Sequence, residues 1–231
     1  MVEIIPALMP RDYDELEILV GKVHQFAKHV QIDVMDGVYV KNKSFPYGDT
    51  KGDFGTILRE EKALPFWDEI DYEVDLMVVN PQRDALDWIK AGASRIIIHK
   101  NSSEDICKIM KELKAQYGGG ADDPFRVEFG VAIMPEEDIS IIGEFIEEAD
   151  FVQQMGIENI GHQGEEMSER VLSNISTLRS MYPQLIISVD GGVNLETAER
   201  LISLGVDRLV SGSYILNSEN PKNSFDSLSS L

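Results

Sequence analysis

The sequence predicts an α/β fold, a closed (β/α)₈ barrel forming one domain over residues 1–231, with a polar tail at 217–231. Three observations predict it. Eight short apolar runs rich in β-branched residues alternate with longer amphipathic runs, the pattern of parallel βαβ units. Eight such units in 231 residues fit a closed ring better than an open sheet. The first strand-to-helix turn, Leu8-Met9-Pro10-Arg11, lacks the glycine-rich fingerprint that an open dinucleotide-binding sheet carries there.

The expected strands, in order, are 4–8, 29–33, 72–77, 95–99, 126–132, 151–155, 185–189 and 208–210. Between them, 14–27 places Leu16, Leu19, Val20 and Val23 on one helical face, and 81–91 opens on Pro81, which suits a helix start. Residues 103–117 carry Ile106, Ile109, Met110 and Leu113, and Cys107 beside them reads as a packed thiol. The stretches 137–148, 168–181 and 195–204 show the same spacing. Residues 36–55, 117–124 and 156–166 read as loops, and the tail either frays or docks through Phe225 and Leu228.

Composition excludes several functions. The net charge of −20 disfavours nucleic acid and anionic membranes, which are held by Lys and Arg. It also repels a phosphorylated molecule at long range, so a phosphate site has to be built locally. The single cysteine rules out an intrachain disulfide or a cysteine-based zinc site. No apolar run is long enough to span a bilayer, and 1–10 lacks the basic leader of a signal peptide. A soluble cytoplasmic protein is expected.

In such a barrel, chemistry sits where strands end. Gln31 and Asp33, two apart on the second strand, share a face, and Asp190 closes an apolar seventh strand with no structural need for a carboxylate. These two aspartates are expected to face each other across the barrel mouth, one removing a proton while the other returns one. Each of Asp33, Asp75 and Asp190 alone reads as a turn or cap residue; their convergence on one barrel face favours chemistry. Asp36 reads as the turn partner of Gly37, and His99 as either a hydrogen-bonded spacer or a catalyst. Gly191, Gly192, Gly212 and Ser213 fall in the two loops where barrels hold phosphate on bare backbone N–H groups. Gly161-His162-Gln163-Gly164 forms a candidate third wall.

At these residues the sequence resembles the ribulose-phosphate 3-epimerase family. The resemblance rests on the run from Val30 to Asn42, on Asp75-Leu76-Met77-Val78 with Asn80-Pro81, and on Gly92-Ala93 through His99. It continues in Gly130-Val131-Ala132 to Pro135, Ser188 to Val193, and Gly205-Val206-Asp207 to Ile215. It implies 3-epimerisation of D-ribulose 5-phosphate and D-xylulose 5-phosphate through an enediolate, with Asp33 and Asp190 as the acid–base pair. It also implies Met35, Met77 and Met155 near the intermediate, Gly191, Gly192, Gly212 and Ser213 as phosphate grip, no organic cofactor, and a dimeric or hexameric assembly.

The departures from the family pattern have a chemical consequence. Family members hold a divalent metal, usually zinc, with two histidines and two aspartates; Gln31 and Asp75 stand in the histidine positions here. The set Gln31, Asp33, Asp75 and Asp190 offers oxygen alone, which favours Mg²⁺ or Mn²⁺ over Zn²⁺. Three outcomes stay open: a harder metal, a metal-free acid–base site with a shared proton, or lost activity. The expectation is an epimerase of ribulose 5-phosphate or of a related ketose phosphate such as allulose 6-phosphate. A lyase would need a lysine in the stretch 75–80, which has none, and a non-catalytic phosphosugar binder would keep the glycine loops without turnover.

Overall fold

A computed structural model describes residues 2–120, 123, 125–162 and 164–231. Its eight parallel strands close in sequence order, each pairing with the next and the eighth with the first. They are β1 (Glu3–Leu8), β2 (His29–Met35), β3 (Asp71–Met77), β4 (Ala93–His99), β5 (Glu128–Ile133), β6 (Phe151–Met155), β7 (Ile186–Asp190) and β8 (Arg208–Ser211). The helices are α1 (Tyr13–Gly21), α2 (Asp53–Leu58), α3 (Gln82–Ala91), α4 (Ile106–Tyr117), α5 (Arg170–Met181), α6 (Leu195–Ser203), α7 (Ser213–Leu216) and α8 (Pro221–Ser229). The predicted (β/α)₈ class is the one observed. No helix among the described residues is long and apolar enough to cross a membrane.

Strand alternation divides the core in two. Outward-facing Leu8, Val30, Ile32, Val34, Val74, Leu76, Ile96 and Ile98 pack with the helical layer, including Leu16, Trp88, Met110 and Ile175, into one continuous buried cluster. Inward residues form two smaller groups, Ile97, Ala132, Phe151 and Met155 on one side and Ile5, Ala7 and Val210 on the other. Gly130 faces Phe151 here; a Cβ on it would come within 2.5 Å of the ring, so the missing side chain is what lets the phenyl fill the barrel.

The floor of the barrel is ionic. Arg208 reaches Glu128 at 2.8 Å and Glu3 at 3.2 Å, and Arg95 reaches Glu3 at 3.2 Å, Glu128 at 3.3 Å and Glu73 at 3.4 Å. His29 Nδ1 lies 2.6 Å from Glu3. Burial would raise the Glu3 carboxyl, but the His29 contact and the two guanidinium charges outweigh it and pull it down to about 2. Glu73 is fully buried, and desolvation pushes it up to about 7 against those same charges.

Local chemistry sets the element ends. Asn194 caps α6 by accepting from Glu196 and Thr197 N–H, and Thr197 Oγ1 accepts from Asn194 N–H in return. Asn220 caps α8 ahead of Pro221. Through α8 the polar tail docks: Leu228 is buried, and Phe225 packs on Phe26 with ring centroids 5.1 Å apart.

Four expectations need correction. The helix expected over 137–148 is a 3₁₀ segment, Ile139–Glu144, because Gly143 and three isoleucines disfavour a sustained α-helix. The first helix stops at Gly21 rather than running to 27. The loop 36–55 gives way to α2 at Asp53, and Phe45 anchors it by packing on Trp88, with centroids 5.9 Å apart. Cys107 is exposed, because the buried face of α4 runs through Ile106, Ile109, Met110 and Leu113 and passes it by. In the expected loop 117–124, residues Ala121, Asp122 and Pro124 lie outside the described residues.

Candidate active site

The second and third strands bring Asp33 and Asp75 level in register, and the sixth and seventh do the same for Met155 and Asp190. All three aspartates point inward and are buried. One oxygen from each lies within 4.8 Å of the others. Asp33 and Asp190 therefore meet more closely than placement on opposite walls of the mouth implies. Gln31 joins them: its Nε2 donates to Asp33 Oδ1 and to Asp190 Oδ2, both at 2.8 Å.

The electrostatics follow from this crowding. Burial first, and then the charges of Asp190 and Asp75, raise Asp33 well above the usual carboxylate range. Burial and the charge of Asp75 also raise Asp190. Carboxyls shifted toward neutrality exchange protons readily near physiological pH.

Above them opens a cavity lined by Asp33, Asp190, Met77, Met155, Gly161, Gly164, Gly191, Gly192, Gly212 and Ser213, among others. Met35 is buried behind this wall, and its sulfur stands 3.4 Å from where a Cβ on Gly161 would sit. Gln31 and Asp75 are wholly buried and do not line the cavity. Gly191 and Gly192 have φ of +105° and +68°, conformations that a side chain would strain. The β6 loop folds against them: Gly156 N–H donates to the Asp190 carbonyl at 2.5 Å, and Met167 packs over Gly192. On the far side, Asn42 Nδ2 donates to the Gly161 carbonyl at 2.8 Å, tying the β2 loop to the β6 loop. Gln163 lies outside the described residues. Among the described residues, no Lys or Arg lines the cavity.

Asp36 acts as the turn residue the sequence suggested, accepting from Val38 and Tyr39 N–H, and it also reaches Val79 N–H on the β3 loop at 2.9 Å. His99 packs on Tyr39, with ring centroids 5.4 Å apart. Sequence reasoning missed Gln153, which lies 3.5 Å from Asp190 Oδ2 and accepts from Ser188 Oγ. Its position two residues before Met155, on the same inward face, is the signal that could have found it. It also missed Glu165, which lines the cavity.

The donor set fits a divalent cation. Gln31 Oε1 and both Asp75 oxygens are buried without a hydrogen-bond partner among the described residues. Orphaned oxygens beside two further carboxylates are what a hard, oxygen-seeking ion satisfies.

Fold and site together define a barrel enzyme with buried inward carboxylates beneath a glycine-walled cavity. The family model for the ribulose-phosphate 3-epimerase family matches residues 3–216. The ribulose-phosphate 3-epimerase of Schizosaccharomyces pombe is 27% identical, covering 95% of this chain and 89% of its own. That of Bacillus subtilis is 28% identical, covering 96% and 95%. In shape the chain is similar to 3-hexulose-6-phosphate synthase from Salmonella typhimurium, with a TM-score of 0.65, 15% identity, and 99% and 97% of the two chains covered. It is also similar to a mutant tryptophan synthase alpha-subunit from Pyrococcus furiosus, with a TM-score of 0.68, 13% identity, and 99% and 98% covered. These two likenesses speak for the fold alone. The chain belongs to the ribulose-phosphate 3-epimerase family, and it is an isomerase of the sugar-phosphate epimerase class.

Proposed function

We propose that this epimerase interconverts D-ribulose 5-phosphate and D-xylulose 5-phosphate, with Asp33 and Asp190 as the acid–base pair. The observation that carries the reading is the placement of two inward carboxyls, both shifted toward neutrality, on the wall of one cavity. The C3 hydrogen of a 2-ketose is acidic because the C2 carbonyl receives the electrons as an enediolate. One aspartate takes that proton, and the other, arriving protonated, returns one to the opposite face of C3. Gln31 holds both carboxyls in place through one amide nitrogen. Met77 and Met155 line the cavity with polarizable surface that has no proton to give, so the enediolate is not quenched on the wrong atom. The amides of Gly191, Gly192 and Gly212 and the Ser213 hydroxyl supply the phosphate grip, with Gly161 and Gly164 as its third wall.

Asp33, Asp75, Asp190 and the Gln31 carbonyl oxygen would hold a divalent cation, Mg²⁺ or Mn²⁺ by the hardness of the set. When bound, such an ion offsets the negative charge that builds on the substrate oxygens.

The test is exchange of the C3 proton of ribulose 5-phosphate in deuterated water, followed by proton NMR. Exchange by the wild type and its loss in Asp33→Asn and Asp190→Asn are expected. Full exchange in both variants overturns the acid–base assignment.

A further inference from the structure

His99 is a buried polar side chain beside the site that the proposed chemistry leaves unused. It ends β4, is buried to 1% exposure, and has neither ring nitrogen hydrogen-bonded among the described residues. Its Nε2 lies 2.9 Å from Asp75 Oδ1, yet the ring is not aligned for a hydrogen bond. Neither Asp75 oxygen is hydrogen-bonded among the described residues. A fully buried carboxylate and an imidazole this close, both unsatisfied, are costly as they stand, since unpaired buried polar groups lose their hydration without compensation. Tyr39 covers one side of the ring, and the His99 backbone carbonyl is held by Ser102 Oγ at 2.7 Å, so the strand end is fixed.

We propose that His99 is a positioning residue for Asp75: when a divalent cation binds, its Nε2–H turns onto the carboxylate oxygen that it already faces at 2.9 Å and leaves the other oxygen for the ion. The inference rests on the cation site proposed above and deepens it. Asp75 is the carboxylate of the trio that does not line the cavity. Gln31 anchors Asp33 and Asp190 but not Asp75, so without His99 nothing among the described residues fixes the third carboxylate. Hydrogen-bonding partners of metal-binding side chains commonly contribute about 10–100-fold to ion affinity. His99 acts through Asp75 and makes no contact with substrate.

The experiment is titration of chelator-stripped protein with Mn²⁺, reading free ion by electron paramagnetic resonance, alongside thermal unfolding in chelator. His99→Leu removes the donor and is expected to weaken Mn²⁺ binding by about 10–100-fold. His99→Gln places an amide N–H near the Nε2 position and is expected to recover most of that loss. His99→Asn, too short to reach Asp75, is expected to behave like His99→Leu and replaces it if the leucine variant does not fold. Because unfolding is measured without the ion, a folding defect shows there, whereas a positioning role shows as rescue by Gln but not by Asn. Wild-type affinity in His99→Leu or in His99→Asn, or equal loss in His99→Gln and His99→Asn, overturns the inference while leaving the cation site standing. A wild type that takes no Mn²⁺ overturns the cation site and this inference together.

Discussion

Asp33 and Asp190 stand on strands that do not pair in the sheet, yet both accept a hydrogen bond from the same nitrogen, Gln31 Nε2, at 2.8 Å. One neutral amide thus sets the spacing of the pair to which we assign proton transfer. Gln31→Leu is expected to remove both bonds and leave two buried carboxyls without this donor, at about 1–3 kcal/mol for each buried group left unsatisfied. Denaturant unfolding at pH 7 checks this; a loss below about 0.5 kcal/mol would remove Gln31 from its clamping role.

Replacing the amide with imidazole is expected to change the preferred ion. Gln31→His adds a nitrogen donor to an oxygen set, so Zn²⁺ affinity is expected to rise relative to Mn²⁺. Competition titrations of the two ions on wild type and variant read the ratio directly.

Gly156 is expected to couple the β6 loop to the phosphate wall. A Cβ there would collide with the Gly191 carbonyl oxygen. Gly156→Ala is expected to displace one loop or the other, raising KM for ribulose 5-phosphate at least tenfold and lowering the thermal midpoint. Steady-state kinetics beside a melting curve check both effects.

Acid sensitivity is expected to originate in the barrel floor. Glu3 is held at about 2 against an ordinary 4.5, so its stabilising contribution is complete above pH 4.5 and fades as pH falls toward 2. In Glu3→Gln that contribution is absent at every pH. The stability gap between wild type and variant is therefore expected to narrow from pH 4.5 down to 2, as urea unfolding at stepped pH would show.

The eight strands were legible because each is a β-branched apolar run bounded by turn residues, and Asp33, Asp75 and Asp190 were legible because they end such runs. Their convergence on one barrel face was legible as well, from the ring geometry, but the Gln31 clamp that joins two of them was not. Gln31 and Asp190 are separated by 159 positions, and only ring closure brings them together. The vacant hydrogen-bonding capacity of Asp75 and His99 depends on side-chain angles that strand alternation does not fix. Cys107 was misplaced because one residue along a helix is a turn of about 100°, enough to carry a side chain from the buried face to solvent. The segment 137–148 was misread because its apolar spacing suits a helix while Gly143 and its isoleucines resist one.

The ionic floor also bears on how the ring finds its register. Arg95 and Arg208 together link β1, β3, β4, β5 and β8, so charges from five strands have to arrive at one level. A strand that slipped by one residue would turn its charge out of the barrel and strand its partners unpaired inside. An apolar floor would tolerate such slippage; this one penalises any closed ring whose staggering is wrong, and so ties the level of the carboxylates at the other end to the pairing of charges below.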